Sequence, residues 1–183
     1  MTLVTYKWTT DRYHQAVEAG VFDDQSVELL QGEIVLMAPE GTPHTYFSDR
    51  ISKVLQRLLG ERAQIRESRP IALPNNSEPE PDIAIVQPLD AVYLDRHPYP
   101  ENIFLVIEYS NTTLNKDLGT KQITYAEAGI PEYWVVNLKD LQLIVFRHPT
   151  ANGYQTKTVL TSGTISPLAF PEISIEVQRM FSR

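Results

Sequence analysis

The sequence predicts an α/β protein built on a mixed sheet, preceded by an N-terminal helix plus hairpin and followed by extra C-terminal antiparallel strands. Three observations carry this prediction. Ile103, Phe104, Leu105, Val106 and Ile107 form a β-branched apolar run too short to span a membrane, which reads as a central strand buried on both faces. Leu114, Leu118, Lys121, Tyr125 and Ala128 recur at helical spacing directly after it. Tyr133 to Asn137 then supplies a second strand, completing a strand-helix-strand unit whose strands should pair in parallel.

The other elements follow in chain order. Thr10 to Ala19 begins with Thr and Asp and stops at Gly20, the signature of a short helix. Val27 to Leu30 and Glu33 to Met37 flank Gln31-Gly32, a two-residue turn that predicts a hairpin. Pro39 to Pro43 reads as a loop, and Phe47, Ile51, Val54, Leu55, Leu58 and Leu59 as the apolar stripe of a helix ended by Gly60. Ala63 to Leu73 alternates imperfectly and is expected to be a strand, and Asp82 to Val86 is a short strand after a turn-rich loop. Gly129 and Pro131 end the Lys121 helix. Leu141 to Phe146, Tyr154 to Leu160 and Ile173 to Val177 are expected to extend the sheet in antiparallel fashion.

A chain of 183 residues that is 42% hydrophobic and 21% charged suits one domain over residues 1–183. With no cysteine, disulfides and thiolate metal sites are excluded, so any metal must be held by oxygen or imidazole. The first residues lack the pattern of a signal peptide, and a cytoplasmic setting without membrane association is expected. A net charge of -7 argues against a protein that coats nucleic acid with a broad basic surface. Asp49 to Arg69 runs against this trend, with Arg50, Lys53, Arg57, Arg62, Arg66 and Arg69 set against Asp49, Glu61 and Glu67. This stretch is either a solvated face or a phosphate-contacting flank.

Two positions in the central unit break the apolar pattern. Glu108 ends the buried run, where an isolated carboxylate costs several kcal/mol unless a cation or donors meet it. Lys121 fills a slot of the helical stripe that a plain core would give to leucine. If Asp82 to Val86 pairs antiparallel with Ile103 to Tyr109, Asp82 lands beside Glu108, and the two carboxylates repel unless a cation is shared. Asp82, Glu108 and Lys121 together are the equipment for holding Mg2+ or Mn2+ next to a phosphodiester: two hard-oxygen ligands for metal, and one charge to orient water or stabilise the transition state. Read singly, Asp82 is a strand-starting residue and Lys121 a partner for Asp117 one turn earlier.

The elements EPEPDIAIV, LVIEYSNTTLNKD and KQITYAEAGIPEYWVVNLK resemble the Uma-two family of restriction-endonuclease-like proteins, within the PD-(D/E)XK nuclease superfamily. The resemblance extends from VELLQGEIVLMAP to LQLIVFRHP. It implies a restriction-endonuclease-like αβββαβ core, metal-dependent cleavage of DNA as a transient substrate, and a cytoplasmic homodimer. Pro81-Asp82 matches the PD element and Glu108 the (D/E). Ser110 stands where E-x-K would put lysine, and the resemblance gives that role to Lys121 in the following helix. Glu33 and His44 also match recurring positions: Glu33 as a water-mediated metal contact, His44 as a phosphate contact or proton relay. The alternative is a catalytically weak or inactive module acting in binding or dimerisation. A carboxylate-pair glycosidase is a third reading, one with no need of the lysine.

Overall fold

The computed structural model describes residues 4–182. Its centre is a six-stranded mixed sheet of order β3-β4-β5-β6-β7-β8. The strands are β3 (Gln64–Glu67), β4 (Ile83–Val86), β5 (Ile103–Ser110), β6 (Glu132–Asn137), β7 (Gln142–Thr150) and β8 (Gly153–Leu160). Only β5 and β6 run parallel within this sheet; every other neighbouring pair is antiparallel. That exception follows from the helical crossover between β5 and β6, because a helix returns the chain to the same end of the sheet.

Residues of β5 alternate between two cores, as the two-residue period of a strand requires. Leu105, Ile107 and Tyr109 join Trp134 and Val136 against the helix α2 (Thr42–Leu59), through Phe47, Ile51 and Leu55. Val106 joins Ala84, Tyr133 and Val135 on the opposite face, beneath Tyr125 and Ala128 of the crossover. Complete burial of each aliphatic side chain contributes about 1.5–3 kcal/mol, so the sheet is anchored from both sides.

The chain order α2-β3-β4-β5-helix-β6 is the αβββαβ arrangement. Ahead of it lie α1 (Thr10–Glu18) and the hairpin β1 (Val27–Leu30) and β2 (Glu33–Leu36), turned by Gln31 at φ 49° and Gly32 at φ 74°. These paired left-handed angles suit a two-residue hairpin loop.

Three boundaries differ from the sequence expectation. Helix α2 starts at Thr42, inside the stretch read as a loop, because a proline in the first turn lacks only an N–H that the helix would leave unbonded there. The expected strand from Ala63 to Leu73 joins the sheet only over Gln64–Glu67, and Leu73 forms an isolated bridge with Ser77. The expected strand Ile173 to Val177 does not extend the main sheet. Its residues Ile175–Glu176 pair with Thr164–Ile165 in a separate two-stranded ribbon, while Phe170, Ile173 and Val177 bury against the α2 core. Apolar burial there outweighs the gain from adding an edge strand.

Candidate functional site

The site lies where β4 begins and β5 ends. Ile83 pairs with Ile107, which sets Asp82 across from Glu108 on the face that the crossover covers. The Asp82 carboxylate is further fixed by the Tyr109 backbone N–H, which donates to Oδ2.

The crossover consists of α3 (Leu114–Lys116), a π-helical turn over Asp117–Lys121, and α4 (Gln122–Glu127). A π-turn widens the helix by one residue and alters which side chains face the sheet. Asp117 secures its start, accepting hydrogen bonds from Ser110 Oγ at 2.6 Å and Thr113 Oγ1 at 2.7 Å. Asp117 is therefore engaged with hydroxyls, and Lys121 at the other end of the turn is directed elsewhere.

Lys121 is only 3% exposed, and its Nζ stands 2.8 Å from Glu108 Oε1 and 3.2 Å from Glu28 Oε2. Tyr125, one turn further along, donates its hydroxyl to the same Glu108 oxygen at 2.7 Å. Glu28 is fully buried and also takes Lys116 Nζ on its other oxygen at 2.9 Å. The backbone N–H of Glu80 donates to Glu28 Oε2.

Three of the five residues singled out in the sequence thus converge: Asp82, Glu108 and Lys121. His44, in the first turn of α2, reaches the cluster from the other side, with Nε2 3.0 Å from Asp82 Oδ2. Glu33 does not join. It is exposed, and its carboxylate pairs with Lys7. The acid that the hairpin contributes is Glu28, which faces inward while Val27 and Leu29 pack toward Tyr13 of α1. The sequence held a signal for it: an acid between valine and leucine in a four-residue strand, alternating in phase with Leu30. Glu80, Tyr125 and Glu40 are likewise part of the neighbourhood and were not singled out.

The electrostatics divide the two central acids. Burial raises the Glu28 carboxyl, but Lys121 and Lys116 outweigh it and hold this group below the usual carboxylate range. Glu108 is pushed up to about 8, chiefly by burial, with Lys121 opposing and Asp82 adding to the rise. Lys121 remains charged: burial works against the ammonium, and Glu108, Glu28 and Asp117 more than compensate. Glu28 is accordingly the anion that balances Lys121, and Glu108 is the group that holds a proton. Burial lowers the His44 ring, yet the hydrogen bond and charge of Asp82 raise it on balance.

The donor set suits a hard divalent cation. Asp82 Oδ1 and Glu108 Oε2 accept no hydrogen bond among the described residues, so each carboxylate has an uncommitted oxygen. A dication between them would supply the positive charge that a proton now provides on Glu108. A second grouping shares Asp82: single ligand atoms of Glu40, His44 and Asp82 all lie within 4.8 Å of one another. No helix among the described residues is long and apolar enough to cross a membrane.

Comparison with known proteins agrees with this architecture. The crystal structure of "a putative nuclease belonging to DUF820 from Anabaena variabilis ATCC 29413" superposes with a TM-score of 0.73 at 13% sequence identity, covering 94% of this chain and 97% of that one. A likeness at that identity concerns the fold. Comparison with curated proteins returns no match. The sequence model of the Uma2 family, described as "Putative restriction endonuclease", matches residues 10–178, and the chain belongs to that family.

Proposed function

We propose that the protein is a metal-dependent endonuclease that hydrolyses phosphodiester bonds in DNA, with Asp82 and Glu108 holding Mg2+ or Mn2+ and Lys121 beside them. The observation that carries this reading is the buried Lys121 ammonium, 2.8 Å from Glu108 on the face shared with Asp82. An ordinary core has no use for that combination, since burying a lysine and several acids costs more than apolar residues of the same size. A divalent ion at the two carboxylates would supply Lewis-acid polarisation and make a water more acidic. Lys121 then orients the attacking water or stabilises charge on the phosphoryl oxygens. His44, held by Asp82 and more basic than a free imidazole, is the proton relay or phosphate contact. Glu28 keeps Lys121 charged and correctly aimed. In the same reading the 183-residue chain acts as a single domain in the cytoplasm and works as a homodimer on DNA.

The test is nicking of supercoiled plasmid with Mg2+ or Mn2+. Asp82→Asn and Lys121→Ala are expected to lower the rate by at least about a hundredfold, in the range seen when one group that stabilises a transition state is removed. Cutting at the parent's rate by either variant would refute the assignment.

One observation favours a second reading, a nuclease fold acting as a binding or dimerisation module. The Lys121 ammonium is engaged by two carboxylates at once, and Ser110, in the E-x-K lysine position, is tied to Asp117. A parent protein that binds Mn2+ and DNA without cutting would establish that reading instead.

A further inference from the structure

We propose that Tyr125 is a positioning residue that restricts Glu108 to one ligand oxygen and thereby sets the preference of the site for Mg2+ or Mn2+ over Ca2+. This rests on the metal-dependent reading of Asp82 and Glu108. Tyr125 is fully buried, and its hydroxyl donates to Glu108 Oε1 at 2.7 Å. Lys121 Nζ donates to the same oxygen at 2.8 Å. An ionised carboxylate has about four lone-pair sites, roughly two on each oxygen. Both sites of Oε1 are therefore taken, while Oε2 accepts no hydrogen bond among the described residues.

Asp82 repeats the pattern. Its Oδ2 accepts the Tyr109 backbone N–H and lies 3.0 Å from His44 Nε2, and its Oδ1 accepts no hydrogen bond among the described residues. The two acids thus offer an ion one oxygen each. Mg2+ suits that offer, because it demands octahedral geometry, binds through one or two carboxylates and keeps several waters. Mn2+ shares its taste for oxygen ligands. Ca2+ is larger, takes about six to eight oxygens and draws on bidentate carboxylates to reach that number. With Oε1 occupied on both sides, Glu108 cannot chelate it.

Packing holds the hydroxyl in place. The Tyr125 ring meets Tyr133 edge-on, with 4.9 Å between centroids and 66° between planes. Tyr133 in turn stacks on Phe146 and donates its hydroxyl to the Asp117 carbonyl, at the start of the π-turn. Phenylalanine at position 125 would fill nearly the same volume and bring no hydroxyl to be satisfied, and a buried hydroxyl is unfavourable without a partner. The bond to Glu108 is what the tyrosine adds. It fixes the carboxylate without changing the charge balance around Lys121.

The experiment uses the full-length parent and Tyr125→Phe, without DNA or cleavage. Bound Mn2+ is followed by its electron paramagnetic resonance while Mg2+ or Ca2+ is added as competitor. In the parent, Mg2+ is expected to displace Mn2+ at lower concentration than Ca2+ does. In Tyr125→Phe one lone-pair site of Oε1 is freed, and the preference for Mg2+ over Ca2+ is expected to shrink by at least about tenfold, the low end for losing a hydrogen-bonded partner of a metal ligand. General loosening of the fold weakens both ions alike and leaves that ratio in place. Because the variant can fail to fold, crystals of the parent soaked in Mn2+ supply a second measurement, in which the ion is expected on Glu108 through Oε2 alone. A parent that binds no Mn2+, or binds it no better than Glu108→Gln, would overturn this proposal together with the metal-dependent reading. Mn2+ bound in the parent with Ca2+ competing as well as Mg2+, a ratio unaltered by Tyr125→Phe, or an ion chelated by both oxygens of Glu108 would overturn this proposal alone.

Discussion

Glu108 and Lys121 concentrate the chemistry of this molecule in one contact. Two acids share one lysine, but Glu28 has a second lysine in Lys116 and Glu108 does not. Glu28 is therefore the ionised partner, and Glu108 retains its proton to about pH 8. The sign of the resulting pH dependence follows directly. From its ordinary value of 4.5 up to about 8, the folded chain holds a proton that the unfolded chain has lost, so the Glu108 contribution to stability falls as pH rises through that window. Metal binding has the opposite sense, because the ion must displace the proton. Mn2+ affinity is expected to rise about tenfold per pH unit up to about pH 8 and then level off, with about one proton released per ion. Calorimetry in buffers of different ionisation enthalpy measures both quantities. A pH-independent affinity would show that Glu108 is not a ligand.

At the scale of the element, the crossover from Leu114 to Glu127 is what aims Lys121. Its apolar stripe was legible in the sequence, since Leu114, Leu118, Tyr125 and Ala128 need only helical spacing to be recognised, and all four pack on the face beneath the helix. The π-turn was not legible. It depends on Asp117 accepting from Ser110 and Thr113, and no local spacing reveals those contacts. The sequence instead offered Asp117 as a partner for Lys121, a pairing the hydroxyls pre-empt. Removing one donor tests this: Ser110→Ala is expected to lower stability by about 1–3 kcal/mol, the cost of leaving a buried acceptor short of a partner. It is also expected to slow any cleavage by releasing Lys121. Thermal melts and rate measurements on the same preparation check both, and unchanged melts would mean that Asp117 does not depend on Ser110. The hairpin teaches a related lesson. Its turn and register were readable from Gln31-Gly32, yet the hairpin acid that reaches Lys121 is Glu28, while Glu33 pairs with Lys7. Which face of a hairpin meets the rest of the protein is a tertiary fact, decided here by Val27 and Leu29 packing on Tyr13.

For the whole molecule, much of the sheet's pairing was recoverable from the apolar runs: the helical crossover makes β5 and β6 parallel, short turns make β6, β7 and β8 antiparallel, and Asp82 to Val86 was expected antiparallel to Ile103 to Tyr109. The C-terminal segment escaped that logic. It was apolar enough for a strand but buried itself over α2 instead. The basic stretch from Asp49 to Arg69 is also resolved at this scale. Lys53 pairs with Asp49 and Arg62 with Glu172, while Arg50 donates to the Ser182 carbonyl. Arg66 lies over the Tyr93 ring. Most of the local surplus is thus spent within the fold. Among the described residues the Arg69 side chain bonds only the adjacent Ser68 carbonyl, and its charge partly offsets the rise that burial and Glu28 impose on the Glu80 carboxyl. Arg69→Ala is expected to weaken DNA binding and to flatten the slope of log affinity against log salt by about one. Fluorescence anisotropy across a salt series measures it, and an unaltered slope would remove Arg69 from the DNA-facing surface.

The measurement that bears most directly on the account is anomalous diffraction from crystals soaked in Mn2+. A peak bonded to both Asp82 and Glu108 is expected, with Lys121 still beside Glu108. A peak held by Glu40 and His44 without Glu108, or no peak near Asp82 at all, would contradict it.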